Sequence, residues 1–282
     1  MNLMYDIIAY DFAFRLSVWL CTIFGICITL SYHRNLSHRS FDLPKWLEYL
    51  FAYGGVLAFQ VLLSYIPKGD PIEWVSNHRY HHKHRDTQRD PHSPIQGFWF
   101  SHITWISDFG SIQKKCGGEE NVNDLVRQPF YRFLQRTLYL RLIAFGFLLH
   151  IWGGMPFLVW GMGVANVARS HSTFLVNSVC HTWGTRAWNT PDLSRNNWLL
   201  AILMFGEVWH NNHHAFEFSA RHGLEWWQLD VTWYTTRKQR HFRRLSRPVR
   251  DLFAIGSDVT GGFVLGISKE ASDMDLNFEK DL

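Results

Sequence analysis

Cysteine is scarce in this chain of 282 residues. Cys21, Cys27, Cys116 and Cys180 show no paired spacing, which excludes a disulfide framework and a cysteine-based zinc site as organising features. A large charge excess is also missing. The net charge of +4 is too mild for a chain built around nucleic acid. The first residues hold no basic cluster before the apolar run and carry Asp6 and Asp11, so neither a cleaved signal nor an Arg- and Ser-rich transit peptide is expected. Mean hydropathy is low for a membrane protein, at -0.14. That figure averages a few greasy stretches with long, charged, histidine-rich ones, and so excludes no span.

Histidine and tryptophan are abundant by contrast. Aromatics make up 16% of the chain, with 14 Trp, as suits long contact with a membrane–water interface. The histidines fall in three boxes. His78-Arg79-Tyr80-His81-His82 and His210-Asn211-Asn212-His213-His214 share one spacing, i, i+3, i+4, which places three imidazoles on one face of a helix. His33 and His38 stand upstream. Five residues advance about 500° on an ideal α-helix, so these two rings can meet only if the helix breaks or distorts near Asn35 to Ser37. Asn177 and His181 add an i, i+4 pair. Neutral imidazole suits iron, zinc, copper and nickel, and nine imidazoles are too many for one ion. Divided between two, they give four or five nitrogens each. Glu207-x-x-His210 is the lone Glu-x-x-His near the boxes, which disfavours a ferritin-like carboxylate site.

The apolar runs set the expected topology. Phe12 to Tyr32 is long enough to cross a bilayer core, and it exits into His33, Arg34, Arg39 and Lys45, marking that end as cytoplasmic. Leu47 to Ile66 is long enough too. A single crossing there would separate His33 from His78, so a shared metal site requires this run to lie in the interface or to dip and return. Phe130 to Trp152 and Pro156 to Val176 read as a helical hairpin turned by Gly153, Gly154 and Pro156. Arg169 and His171 within its second arm are costly in lipid and should face protein, water or substrate. Trp226, Trp227, Trp233 and Tyr234 suit an interfacial helix. Residues 1–234 are expected to form one domain, and 235–282 a basic, then acidic, disordered tail. The fold class expected is all-α integral membrane, with a histidine-rich helical cap holding a two-metal centre.

The three boxes, with Asp90-Pro-His-Ser-Pro94, Gly97-Phe-Trp-Phe-Ser-His102, Leu175-Val-Asn-Ser178 and Trp188-Asn-Thr190, resemble the membrane fatty-acyl desaturases. Within them the chain looks like the Δ9 acyl-CoA desaturase family, in particular its plant acyl-lipid/acyl-CoA branch. The resemblance implies two iron ions, O2 as oxidant, electrons from cytochrome b5 and its reductase, and a cis double bond, at Δ9, in a fatty acyl-CoA or acyl-lipid held in membrane lipid. It implies a multi-pass protein of the endoplasmic reticulum with the site facing the cytosol, alone or in oligomers with related desaturases. The metal ligands carried over are His33, His38, His78, His81, His82, His181, His210, His213 and His214, with Asn177 reaching a metal through water. No other residue is implied as catalytic. Asp70, Glu73, Asp90 and Glu207 are the carboxylates expected to steady the imidazoles. His84, His92, His102, His150, His171, His222 and His241 are expected at the surface, in caps or in packing. Basic residues near the second box serve either a CoA phosphate or topology.

The chain departs from the family pattern in several places. It has room for one span before the first box where the family has two, Val61 to Lys68 looks inserted, Val208 and Phe174 replace a usual Gly and Trp, and the likeness fades after Tyr234. The rival readings are a hydroxylase or sphingolipid desaturase on the same scaffold, a catalytically degenerate relative, and a metal or haem carrier.

Overall fold

The computed structural model describes residues 3–58, 69–107, 110, 112, 119–201 and 203–237. Val61 to Lys68 and the tail beyond Arg237 lie outside them. The described chain is helical, without a strand. Helix α1, Leu3–Cys27, runs on without a break into a π-helical stretch, Ile28–Ser37. α2 spans Lys45–Ala58 and α3 Pro71–Lys83. A short α4, Phe98–His102, precedes α5, Pro129–Arg136, and α6, Leu138–Phe157. A second π-helical stretch, Leu158–Val164, leads into α7, Ala165–Ser178. α8 is His210–Ala215 and α9 Val231–Arg237.

The distortion demanded by the His33–His38 spacing is present and longer than expected. In a π-helix the N–H bonds the carbonyl five residues back. The His38 N–H donates to the His33 carbonyl at 3.2 Å, so residues five apart are brought into register and the two rings lie 4.9 Å apart. The Ser37 hydroxyl donates to the Tyr32 carbonyl, also five back.

α2 packs on this stretch. Ala52 and Val56 join Tyr32, Leu36, Ile72 and Val75 in one core, while Ala58 reaches Phe24 and Ile28. Gly54 and Gly55 let the two backbones approach, since a Cβ there would strike Cys27 and Tyr32. Where the described chain resumes it is beside Tyr32, whose hydroxyl donates to the Gly69 carbonyl at 3.2 Å. The run from Leu47 therefore does not part the first two boxes: the His33 and His78 rings are 4.5 Å apart.

The expected hairpin also forms. Gly153 and Gly154 leave helical geometry, Gly154 with φ 65°, and Pro156 follows. The chain reverses there, because Gly146 packs on Met162 and Gly161 on Leu149, pairs nearly symmetric about Gly154. Its first arm differs from the sequence expectation in being two helices, α5 and α6, separated at Thr137. Arg141 is buried, its guanidinium over the Tyr53 and Phe133 rings. The aromatic segment before α9 is not one helix: Trp226, 87% exposed, and Trp227 sit in a turn, whereas Trp233 and Tyr234 belong to α9. Thr235 and Thr236 are part of that helix rather than of the tail.

Among the described residues, two stretches, Ile7–Ser37 and Leu138–His181, are long and apolar enough to cross a membrane, the second being folded at Gly154. Both expose large apolar side chains, among them Ile7, Trp19, Leu140, Ile143 and Trp152. An apolar belt of that size is unusual on a surface facing water.

Candidate metal centre

Each box owes its geometry to a local device. Asp70 begins α3 as its N-cap, accepting the Ile72 and Glu73 N–H groups at 2.9 and 3.1 Å, with Pro71 preset for the first turn. α8 is capped by Asn196, whose side-chain oxygen accepts the Asn211 and Asn212 N–H groups. The two asparagines between His210 and His213 are anchors. Asn211 accepts the Trp188 N–H and Asn212 accepts the Trp188 indole N–H.

The nine histidines meet in two sets. His33, His38, His78, His82 and His213 form one, and His81, His181, His210 and His214 the other, with ligand nitrogens in each within 4.8 Å of one another. The repeated spacing explains the division. On α3 the i and i+4 rings, His78 and His82, enter the first set and His81 enters the second. On α8 the assignment is reversed: His210 and His214 enter the second, and His213 the first. Each triplet thus serves both sets. Asn177 lies apart from the imidazole contacts, on the wall of an adjoining cavity.

Carboxylates hold the outer nitrogens. The Nδ1–H of His81 donates to Asp90 at 2.8 Å, that of His82 to Glu217 at 3.1 Å, that of His181 to Asp86 at 3.1 Å and that of His214 to Asp192 at 2.9 Å. His33 Nδ1 lies against Glu207 in a very short contact. Asp90 and Glu207 were legible in sequence; Asp86, Asp192 and Glu217 were not. Asp70 is corrected to a helix cap that burial lifts to about 6, and Glu73 occupies the first turn of that helix. Asp86 also accepts the Leu193 N–H and adopts φ 54°, a strained setting for a residue other than glycine.

A hydrogen bond to a carboxylate fixes the proton on Nδ1 and leaves Nε2 as a lone pair. The Nε2 atoms of His33 and His82 nevertheless face His213 Nε2 at 3.2 and 3.1 Å, and His181 Nε2 faces His210 Nε2 at 2.9 Å. His81 Nε2 and His214 Nε2 are buried with no hydrogen-bond partner. Inward lone pairs in a buried, all-nitrogen set are the donor arrangement a divalent cation satisfies.

His92 and His222, expected to be peripheral, flank the two sets. His92 Nδ1 is 3.6 Å from Asp90, and His222 Nδ1 is 3.6 Å from Glu207. Burial brings His92 down to about 3, more than offsetting the pull of Asp90. Asp90 and Glu207 stay ionised: burial raises both, but His81 and His92 on one side, and Arg34 and His33 on the other, lower them below the usual carboxylate range. His84 does end α3 as expected. His150 is exposed, His102 and His171 bond each other at 3.0 Å, and His241 lies outside the described residues. Arg85 faces inward to Glu217 and the His214 carbonyl.

Burial, and then neighbouring charge, hold His38, His78, His82, His210, His213 and His214 well below the usual imidazole value. These groups are neutral in the fold and take up protons near 6.5 when unfolded. Their contribution to stability is therefore complete above about pH 6.5 and declines as pH falls below it, by up to about 1.4 kcal/mol per pH unit for each group. Metal content and melting temperature, followed from about pH 7.5 to 5.5, are expected to fall together below about 6.5. A flat profile would contradict buried neutral imidazoles.

A cavity of about 470 Å³ opens from the histidines. His33, His78, His81, His210 and Asn177 line one end; the walls run between α1 and α7 to Phe14 and Trp160. Phe174, which stands where the family usually has Trp, packs on His102, His171 and Trp105.

The fold and site define a class: helical proteins with two adjoining all-imidazole sets able to hold metal at the end of an apolar cavity. The chain belongs to the fatty acid desaturase family, whose model matches residues 13–249. It is 74% identical over 221 residues to a probable chloroplastic lipid desaturase of Arabidopsis thaliana, covering 78% of this chain and 59% of that one. It is 57% identical over 225 residues to Delta-9 acyl-lipid desaturase 1 of the same plant, covering 80% and 71%. It is also 57% identical over 223 residues to an acyl-CoA C20 Delta5-desaturase of Anemone leveillei, covering 77% and 69%.

Proposed function

We propose that this protein is an O2-dependent desaturase acting on a membrane-held saturated acyl chain, with one iron in each imidazole set. His33, His38, His78, His82 and His213 would hold one ion, His81, His181, His210 and His214 the other, and Asn177 would reach the site through water. An unactivated C–H bond offers no acidity for acid–base catalysis, so bound iron would supply the oxidising chemistry with O2. The chain's own residues do the rest. The apolar walls between α1 and α7 hold the acyl tail and exclude water, and the five carboxylates orient the rings. The observation that carries this reading is the cavity ending on both imidazole sets at once.

In the same reading α1 and the α6–α7 hairpin lie in a membrane, with the histidine cap on one side. The electron donor is cytochrome b5, the carrier is CoA or a glycerolipid, and the new bond falls at Δ9. An endoplasmic reticulum site follows from the family resemblance. The name of the relative at 74% identity favours a chloroplast instead, and a fluorescent fusion in leaf cells separates the two.

The test is expression in a desaturase-deficient yeast with fatty-acid profiling. A new double bond is expected from the intact chain and none from His78→Ala. A hydroxylated product would favour the hydroxylase, a bond in a sphingoid base the sphingolipid enzyme, and no product from a stable, metal-loaded protein the degenerate reading.

A further inference from the structure

Arg169 is 4% exposed on α7 and lies in the wall of the cavity, midway between its ends. It is anchored rather than free to swing, since its Nε donates to the Ala58 carbonyl at the end of α2 at 3.3 Å. Cys21 of α1 lies within its electrostatic reach, and Cys21, Ser172 and Thr173 also line this level. An ionisable side chain at such depth is costly and calls for a function. The proposed chemistry does not use it.

Position gives the function. Asn177, at the histidine end, is eight residues along α7 from Arg169, or about 12 Å at the rise of an α-helix. Along α1 and its π-helical continuation, His33 to Cys21 is twelve residues, at most about 18 Å because the π-helical part rises less per residue than an α-helix. The cavity then continues past Arg169 through Ala165 and Val164 to Trp160 and Phe14. A saturated chain advances about 1.25 Å per carbon, from a C–C bond near 1.5 Å at a near-tetrahedral angle. Roughly ten to fourteen carbons beyond the reacting pair therefore reach the guanidinium. An apolar tail that went further would have to replace polar surroundings of a cation with methylenes, an unfavourable exchange.

We propose that Arg169 is a specificity-determining residue that limits acyl-tail length, dividing the cavity into a compartment used by substrate and a deeper one closed to it by charge. This rests on the desaturase reading. Removing the charge while keeping an apolar wall, as in Arg169→Leu, opens the deeper compartment.

The experiment feeds yeast carrying the intact chain or Arg169→Leu a series of saturated acyl chains from roughly sixteen to twenty-six carbons and reads the monounsaturated products. The intact chain is expected to lose product sharply once the tail beyond the new bond passes about fourteen carbons. Arg169→Leu is expected to raise the ratio of long to short products about tenfold, the scale on which a pocket discriminates chains. Adding Ala165→Phe, at a buried position of the cavity wall, to Arg169→Leu should remove that gain by filling the deeper compartment. Identical profiles for the intact chain and Arg169→Leu would overturn the proposal. If Arg169→Leu does not accumulate, the intact chain still decides, because undiminished use of the longest chains overturns it equally. Product from no chain length, even with the intact protein, would instead count against the desaturase reading itself.

Discussion

Replacing His213 with alanine is expected to abolish desaturation and to leave about one metal ion where the intact chain is expected to hold two. His213 Nε2 faces both His33 and His82, so it is the hub of the five-nitrogen set. Its removal takes away the one nitrogen common to those contacts and leaves a void between the π-helical stretch Ile28–Ser37 and α3. The four-nitrogen set keeps every member, since His210 and His214 point from the same helix to the other side. Loss of a group that merely orients a ligand typically costs ten- to a hundredfold in affinity or activity, so loss of a ligand is expected to cost on the order of a hundredfold or more. Metal analysis of the purified protein beside yeast fatty-acid profiles would measure both. Two ions and undiminished product would show that His213 is not a ligand.

The second large effect is expected one shell outward, at Arg34. This side chain is wholly buried. It donates to Glu207 at 2.8 and 3.1 Å, to Asp230 at 3.1 Å and to the Ala220 carbonyl at 2.7 Å. Glu207 in turn holds His33, and Asp230 accepts the His222 N–H at 2.8 Å. Arg34→Met keeps most of the volume but strands two carboxylates away from water. Breaking one side of a buried ion pair costs about 3–5 kcal/mol, or a fall in melting temperature on the order of 10 °C for a chain of this size. Because Glu207 loses its clamp, metal content is expected to fall as well. Lysine should rescue poorly, since a single ammonium cannot span both carboxylates as the guanidinium fork does. Unchanged melting and metal content in Arg34→Met would mean the network is dispensable.

These residues also mark where sequence reasoning stops. Local patterns were legible: the i, i+3, i+4 triplets, the Gly153-Gly154-Pro156 reversal, and the distortion that five-residue spacing imposes between His33 and His38. Each is a statement about neighbours along one helix. The partition into sets was not legible, because it depends on how α3 and α8 meet in space, where one triplet is used in the opposite sense to the other. Asp86, Asp192 and Glu217 escaped for the same reason. They come from loops far along the chain from the rings they hold, at no fixed interval, and nothing in their surroundings separates them from surface acids. His222 was passed over as a lone histidine, although the fold buries it against His213 with ring centroids 4.4 Å apart.

The crossed use of the two triplets has a consequence for assembly. Neither helix can be brought into place for one ion without also being placed for its neighbour, so the two occupancies are thermodynamically linked. Under the proposed two-iron reading, the first ion to bind would meet the entropic cost of docking α8 against α3, and the second would find its nitrogens already gathered. With both sets intact, empty and doubly loaded protein would then be the populated states, and a lone ion would persist mainly where one set has been disabled, as in His213→Ala.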